Sequence, residues 1–195
     1  MTTLKAEKRT LDVKAKRLRR EGYATGNLFG RKIEGSIPLK IEKRELERAL
    51  KSAGKGSQVQ LTVDGETYNA LIKEIDYNSM ACRVDEIDFQ ALVSNEKVHS
   101  VAEIILVNHE EIAGGVLQES LSEVSYRAYP SALVDKIRVD VSSLKVGDTL
   151  RVKDLDIARN KDIDLTTDPE AVVATVTAVH NVVPEEPAET DEKTE

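Results

Sequence analysis

A run of basic side chains near the N-terminus is the feature of this sequence best suited to chemistry. Seven positions contain Lys14, Lys16, Arg17, Arg19 and Arg20, and no acidic residue interrupts them. Lys and Arg bind phosphate groups, and binding to a nucleic acid is favoured by the counterions that it releases. Charge runs are often only the solvated face of a helix. The lack of interleaved acids here instead favours a polyanionic partner.

The charge of the whole chain is divided unevenly along its length. Residues 1–55 hold 16 Lys and Arg against 7 Asp and Glu, a balance of +9, whereas residues 56–195 hold 12 against 28, a balance of −16. This separation predicts that the basic N-terminal segment, and not the acidic remainder of the chain, contacts the polyanion. Its remaining candidate binding residues are the cations Arg9, Arg31 and Lys32 and the aromatic rings of Tyr23 and Phe29. For Phe29 taken alone, packing in the core is the more common role.

Other residues with catalytic potential lack the partners that catalysis needs. Asp85, Glu86 and Asp88 cluster on a predicted strand, whose alternation places Glu86 and Asp88 on one face and Asp85 on the other. No nucleophile, metal-ligand set or phosphate loop accompanies these carboxylates, so an active site built on them is a remote alternative. The histidines are far apart and are expected to be solvated or at strand ends: His99, His109 and His180. The sequence predicts no enzyme, no metal and no cofactor.

Composition limits the class of protein further. The 195 residues suit one large or two small domains, and with 4% aromatics and no Trp the cores should consist of Val, Ile, Leu and Ala. Cys82 is the single cysteine, which excludes an internal disulfide and favours a reducing cytoplasm. We expect Cys82 to be a small core residue. No apolar run reaches the roughly 20 residues needed to span a bilayer, and the N-terminus lacks the apolar stretch of a signal peptide.

Most of the predicted elements are short strands with alternating hydrophobicity. Gln58–Val63 is the clearest, followed by an Asp64-Gly65 hairpin turn and a returning strand over 67–72. Further strands are predicted over 82–89, 102–107, 136–141, 148–152 and 171–179. A helix is predicted over 42–53, ended by Gly54 as its C-cap, and the basic run could form a short helix closed by Gly22. The fold class is therefore mainly β with short helices.

The composition changes along the chain indicate three parts. Residues 1–93 form a basic β-rich domain, residues 94–183 an acidic β-rich domain, and residues 184–195 an acidic tail rich in Pro and Glu that is expected to be disordered.

The order of several motifs resembles one known family over nearly the whole chain except the acidic tail. In the first half these motifs are KRLRREG (16–22), LFG (28–30), IPL (37–39), ELERAL (45–50) and IDF (87–89). In the second half they are GGVL (114–117), IRVDVSSLKVGD (137–148) and TDPEAVVATV (167–176). The chain resembles the bacterial large-subunit ribosomal protein L-twenty-five in its long form, the general stress protein Ctc family.

This resemblance implies an N-terminal six-stranded β-barrel with short helices that binds 5S rRNA, followed by a second, mostly β domain. The family's RNA-contacting positions correspond to Arg9, Lys16, Arg17, Arg19, Phe29-Gly30 and the strand from Glu86 through Asp88 to Phe89. Three positions depart from the family pattern. Phe29 replaces a tyrosine in a run that here lacks its proline, Glu86 replaces a histidine, and Asp76 replaces a glutamine.

Two functions from different classes follow from these observations. The first is a non-enzymatic structural constituent of the ribosome, which binds 5S rRNA and contacts neighbouring large-subunit components in the cytoplasm. The alternative is a diverged, stress-related paralogue that keeps the fold but binds another RNA or a protein. Neither function involves a membrane or a small-molecule substrate.

Overall fold

A closed β-barrel forms the N-terminal half of the protein. The structure is a computed structural model that describes residues 2–10, 12–31, 33–112 and 115–178. The barrel strands are β1 (Thr2–Lys8), β2 (Tyr23–Phe29), β3 (Ser36–Glu42), β4 (Gln58–Val63), β5 (Glu66–Asn78) and β6 (Arg83–Ala91). They close in the order β1-β3-β2-β6-β5-β4. The six-stranded barrel implied by the resemblance is confirmed.

Closure depends on two parallel pairings between strands distant in sequence. β1 runs parallel to β4, with Thr2 opposite Val59, and β2 runs parallel to β6, with Thr25 opposite Glu86. The β4–β5 hairpin is local and matches its prediction. Its turn residues Asp64 and Gly65 both have positive φ, 48° and 97°, as a tight type I′ hairpin turn requires.

The barrel interior is filled by aliphatic side chains that alternate with outward polar ones. Along β4 every second residue is buried, ending with Leu61 and Val63, which have no exposed surface. Phe89 is the aromatic residue of this core, and the remaining buried members are Leu, Ile, Val and Ala. The prediction of an aliphatic core is confirmed for the barrel.

Two helices accompany the barrel, α1 (Ala15–Arg20) and α2 (Lys43–Leu50). α1 agrees with the predicted short basic helix, and Gly22 follows it with φ 91°. The prediction for α2 was wrong at its C-terminal end, because the amides of Ser52 and Ala53 both bond the Ala49 carbonyl and the Ser52 hydroxyl donates to it as well. The helix therefore ends three residues early, and Gly54 is neither its C-cap nor in a left-handed conformation.

Two bulges interrupt the pairing of β5 with β6. Between Ile72 and Glu74, β5 contains one extra residue, Lys73, and on β6 Asp85 has no partner residue of its own. A bulge redirects the side chain of its extra residue. The tip of this hairpin holds Cys82, which has φ 46° and is exposed. The expectation that Cys82 is a core residue was wrong. The strand that was predicted to begin at residue 82 begins at Arg83, and Cys82 belongs to the turn before it.

A second, mostly β domain follows, as predicted. Its strands are β7 (Val98–Val107), β8 (Gly115–Glu119), β9 (Glu123–Ala128), β10 (Lys136–Asp140), β11 (Thr149–Arg151), β12 (Ile163–Leu165) and β13 (Val172–Ala178). They form one sheet in the order β10-β7-β9-β12 and another in the order β11-β13-β8. Short 3₁₀ helices link them at His109–Glu111, Pro130–Ala132, Val152–Asp154 and Asp156–Arg159.

The core of the second domain contains one buried aromatic side chain, Tyr126. Its hydroxyl donates to the Val134 carbonyl at 2.6 Å and accepts from the Val134 amide at 2.8 Å, so the polar end of the ring is satisfied. Burial raises the pKa of Tyr126 above its ordinary value. None of the helices in the described ranges is long and apolar enough to cross a membrane. Lys32, His180 and the acidic tail lie outside the described residues.

Candidate nucleic-acid interface

Helix α1 presents two cations directly away from the barrel. Leu18 is its one buried residue and fixes the helix against the barrel. At 100° per residue, Lys16 and Arg20 lie on the opposite side of the helix from Leu18, and both are exposed. Lys14, which precedes the helix, is exposed as well. Two like charges four residues apart destabilise a helix slightly, so their presence here favours an external anion as their partner.

The other two arginines of α1 are engaged within the protein. Arg17 donates to the Glu21 carboxylate, Nε to Oε1, at 2.9 Å. Arg19 donates from Nε to the Asp85 carbonyl oxygen at 3.2 Å and lies 3.8 Å from its carboxylate. Only a quarter of the Arg19 side chain is exposed, compared with three quarters of Arg17. Among the described residues, Lys16 and Arg20 have no ionic partner, whereas Arg17 and Arg19 are paired internally. We call the first two the free cations of α1.

Asp85 on β6 is the acidic residue that Arg19 of α1 contacts. It accepts from Asn78 Nδ2 at 3.0 Å and from Arg83 Nε at 2.7 Å. These hydrogen bonds, that of Asn78 being the stronger influence, hold the pKa of Asp85 below its usual range. The charge of Arg19 acts in the same direction, against the opposing effect of burial. An ionised Asp85 therefore locks the helix to the start of β6.

The remaining predicted cations do not all join α1. Arg9 donates from Nη2 to the Val13 carbonyl at 2.9 Å, so it supports the loop that leads into α1. Arg31 follows the far end of β2 and pairs with Glu96 at 3.1 Å. At about 3.3 Å per residue β2 itself spans roughly 20 Å, and Arg31 lies past the end of the strand that is remote from α1. The structure brings Arg9 to α1 and separates Arg31 from it.

An acidic face covers the outer surface of β5 and β6. Glu74 lies opposite Asp88 and Asp76 opposite Glu86, and these side chains surround one shallow cavity. Like charges directly opposite each other destabilise a sheet. Asn27 on β2 relieves part of this repulsion, since its Nδ2 donates to Asp88 at 3.1 Å and to Glu86 at 3.5 Å. Glu86 and Asp88 thus share one face, as the alternation predicted.

Phe29 lies outside the barrel core, so the core-packing alternative for this residue was wrong. Its neighbour Leu28 is fully buried, and alternation sends the partly buried Phe29 ring to the outer surface. Glycines at positions 26 and 30 let β2 approach β6 closely. A Cβ at Gly26 would overlap the Ile87 carbonyl, and one at Gly30 would lie 2.9 Å from Ala91 Cβ. Tyr23, the other predicted ring, is covered by Lys40, whose Nζ is 5.4 Å from its centroid.

Sequence reasoning missed several members of this surface. Asn27 could have been predicted from the sequence, because it stands two residues before Phe29 and therefore lies on the same face of β2. Glu74 and Arg83 could not have been predicted, because their positions depend on the bulges between β5 and β6. Within the described residues no group of three or more His, Cys, Asp or Glu is arranged to hold a metal ion.

Comparison with known proteins decides the family. A model of the Ribosomal L25p family matches residues 4–89, and a model of the Ribosomal protein TL5, C-terminal domain, matches residues 97–180. The large ribosomal subunit protein bL25 of Thermoanaerobacter pseudethanolicus is 32% identical over 166 residues, which cover 84% of this chain and 82% of that protein. The bL25 protein of Listeria monocytogenes serovar 1/2a is 34% identical over 194 residues, covering 97% and 91%. This chain belongs to the ribosomal L25p family.

The two matches explain the chain's two-part organisation. The ribosomal L25p match falls on the barrel with its basic helix, and the second match falls on the two sheets that follow. The family consists of structural, non-enzymatic ribosomal proteins, and the prediction of a non-enzymatic protein is confirmed. The resemblance to the long form of this ribosomal family is also confirmed. The boundary of the barrel domain at residue 93 stays a prediction.

Proposed function

We propose that this chain binds 5S rRNA in the large ribosomal subunit through the barrel surface formed by α1, β2 and β6. The observation that carries the proposal is the outward pair Lys16 and Arg20, exposed on a helix that Leu18 and Arg19 fix to the barrel. Phosphate contacts by such cations supply most of the affinity of RNA binding. The relatives named as large ribosomal subunit proteins support the ribosome as the site of this binding.

The surface beside α1 suits base edges better than phosphates. The four carboxylates of the acidic face, Glu74, Asp76, Glu86 and Asp88, repel a phosphate backbone. Asp88 is held by Asn27, and a carboxylate can accept hydrogen bonds from the amino groups of unpaired bases. The exposed part of the Phe29 ring can stack on a base or ribose. The arrangement therefore favours RNA whose phosphates lie over α1 and whose exposed bases lie over β6.

Residues 1–93 contain this entire surface, so we assign RNA binding to the barrel. We propose that its further partners are the neighbouring components of the large subunit. We therefore expect the protein to act in the cytoplasm, with the ribosome.

Co-sedimentation and RNA binding test the proposal together. The tagged protein should sediment with large subunits, and its affinity for a 5S rRNA transcript should exceed that for a structured control RNA of equal length. The Lys16→Ala/Arg20→Ala variant should lose most of this affinity while keeping its circular dichroism spectrum. Equal binding to both RNAs, with the protein remaining in the ribosome-free fraction, would support the diverged-paralogue alternative instead.

A further inference from the structure

The junction between the two domains is tightly fitted and polar. Any side chain at Gly56, which has φ 84°, would overlap the carbonyl oxygen of Val101 on β7. Beside this contact Ser57 Oγ donates to Asp135 Oδ2 at 3.0 Å, and Gln58 Nε2 donates to the Pro130 carbonyl at 2.6 Å. Ser57 is 3% exposed. These contacts hold the barrel and the second domain in one orientation.

Lys73 reaches from the barrel across this junction. It is the extra residue of the bulge on β5, and its Nζ donates to the backbone carbonyl of His99 on β7 at 2.9 Å. The Lys73 ammonium group therefore contacts the second domain. Burial and the nearby charge of Lys55 lower the pKa of Lys73, and Glu74 partly opposes this.

The side chains of His99 and Arg127 lie near this ammonium group. His99 lies directly opposite Arg127 in the antiparallel pairing of β7 with β9, so both side chains project from the same face, and both are exposed. Burial, followed by the charges of Arg127 and Lys73, lowers the pKa of His99. Lys73, His99 and Arg127 therefore form one cluster, which we call the junction cluster.

The junction cluster has an excess of positive charge. The neighbouring lysines are neutralised, since Lys55 pairs with Glu123 at 3.0 Å and Lys97 with Asp164 at 2.7 Å. Lys73 and Arg127, in contrast, form no ion pair with any of the described residues. Glu74 follows Lys73 in sequence and partly opposes the lowering of its pKa. Asp164 lies directly opposite Arg127 in the pairing of β12 with β9, but its carboxylate is bonded to Lys97. Two cations that form no ion pair of their own, in a chain whose second part is acidic, indicate an anionic partner.

We propose that the junction cluster binds RNA phosphate and forms a second contact site, built from both domains, on the same RNA that α1 engages. This inference rests on the proposed RNA binding. A phosphate oxygen can accept hydrogen bonds from the Lys73 ammonium and the Arg127 guanidinium, with the His99 ring as a third donor. Because Lys73 comes from the barrel and the other two residues from the second domain, the site exists only while the domains remain docked.

Salt-dependent binding to a 5S rRNA transcript tests this site with a charge-matched control. Lys73→Gln/Arg127→Gln in the full chain should lower the slope of log K against log salt by roughly two, about one for each lost phosphate contact. The control Arg138→Gln/Lys145→Gln removes two exposed cations elsewhere in the second domain and should leave the slope unchanged. Gly56→Val, which prevents docking, should reproduce the loss.

The outcomes separate this inference from the proposed function. If the junction variant keeps the wild-type slope while Lys16→Ala/Arg20→Ala loses slope, RNA binding stands and the second site is rejected. If the wild-type protein shows no salt-dependent binding to 5S rRNA, the proposed function itself fails. The single variant Arg127→Gln tests the site without disturbing the contact between the domains. The Arg127 side chain makes no hydrogen bond in the described structure, whereas Lys73 bonds across the junction. A slope lower by about one supports the site, and an unchanged slope overturns it.

Discussion

Arg19 and Asp85 join the basic helix to the barrel: Arg19 Nε donates to the Asp85 carbonyl at 3.2 Å and lies 3.8 Å from its carboxylate. The two residues are 66 positions apart, and Asp85 reaches Arg19 because it is the extra residue of a bulge on β6. A residue that sequence reasoning placed among the phosphate binders thus also has a structural role, because it orients the helix on which Lys16 and Arg20 stand.

We expect Asp85→Asn to make stability less dependent on pH. The folded-state pKa of Asp85 lies below its ordinary value, so its ionised form stabilises the fold above about pH 5, and this contribution is lost as the pH falls below about 4. The variant should have a lower melting temperature than the wild type at pH 7, and the difference should shrink on acidification. Asp162→Asn, an exposed aspartate in the second domain, serves as the control. A difference that stayed constant down to pH 3 would show that Asp85 does not act through its charge.

We expect the free cations of α1 to matter more for RNA affinity than the paired one. Lys16→Ala/Arg20→Ala should lower the salt slope of 5S rRNA binding by roughly two, because both side chains are exposed and face away from Leu18. Arg17→Ala should have a smaller effect, since Arg17 is bound to Glu21. Filter binding between 50 and 200 mM salt provides the measurement. Equal slopes for the two variants would contradict the division of the basic run into free and paired cations.

We expect residues 1–93 to fold as an isolated domain. All six barrel strands lie between Thr2 and Ala91, and the core they enclose needs no side chain from the second domain. The fragment should unfold cooperatively in a denaturant titration followed by circular dichroism, with a slope suited to its smaller buried surface. Aggregation, or a transition without cooperativity, would show that the second domain is required for the barrel to form.

We expect Glu86→His to tighten binding to 5S rRNA. The change removes one of four clustered carboxylates and adds a hydrogen-bond donor that a carboxylate lacks. A hydrogen bond to a charged group contributes about 1.5 kcal/mol, or roughly tenfold in Kd. Glu86→Gln separates the two effects, because it removes the charge without introducing an imidazole, and its gain should be smaller. Weaker binding by both variants would indicate that Glu86 accepts a hydrogen bond from the RNA.

The sequence alone determined the elements that depend on neighbouring residues. Alternating side chains and the Asp64-Gly65 turn define the β4–β5 hairpin, and the basic run before Gly22 forms α1, because strand periodicity, turn conformation and helix formation are local properties. The separation of charge between residues 1–55 and 56–195 also follows from the sequence alone. These features, with the family resemblance, were enough to predict the fold class and the basic surface.

The tertiary structure alone decided which of these charges are available to a partner. Arg19 and Arg17 are paired internally, while Lys16 and Arg20 have no partner within the part of the chain that the structure describes. Phe29 faces outward, and Lys73 contacts the His99 carbonyl across the domain junction. Each of these facts depends on strand register, on a bulge or on docking between segments distant in sequence. The free energy of such long-range pairings comes from packing and closure of the whole barrel, so no local pattern of residues encodes it.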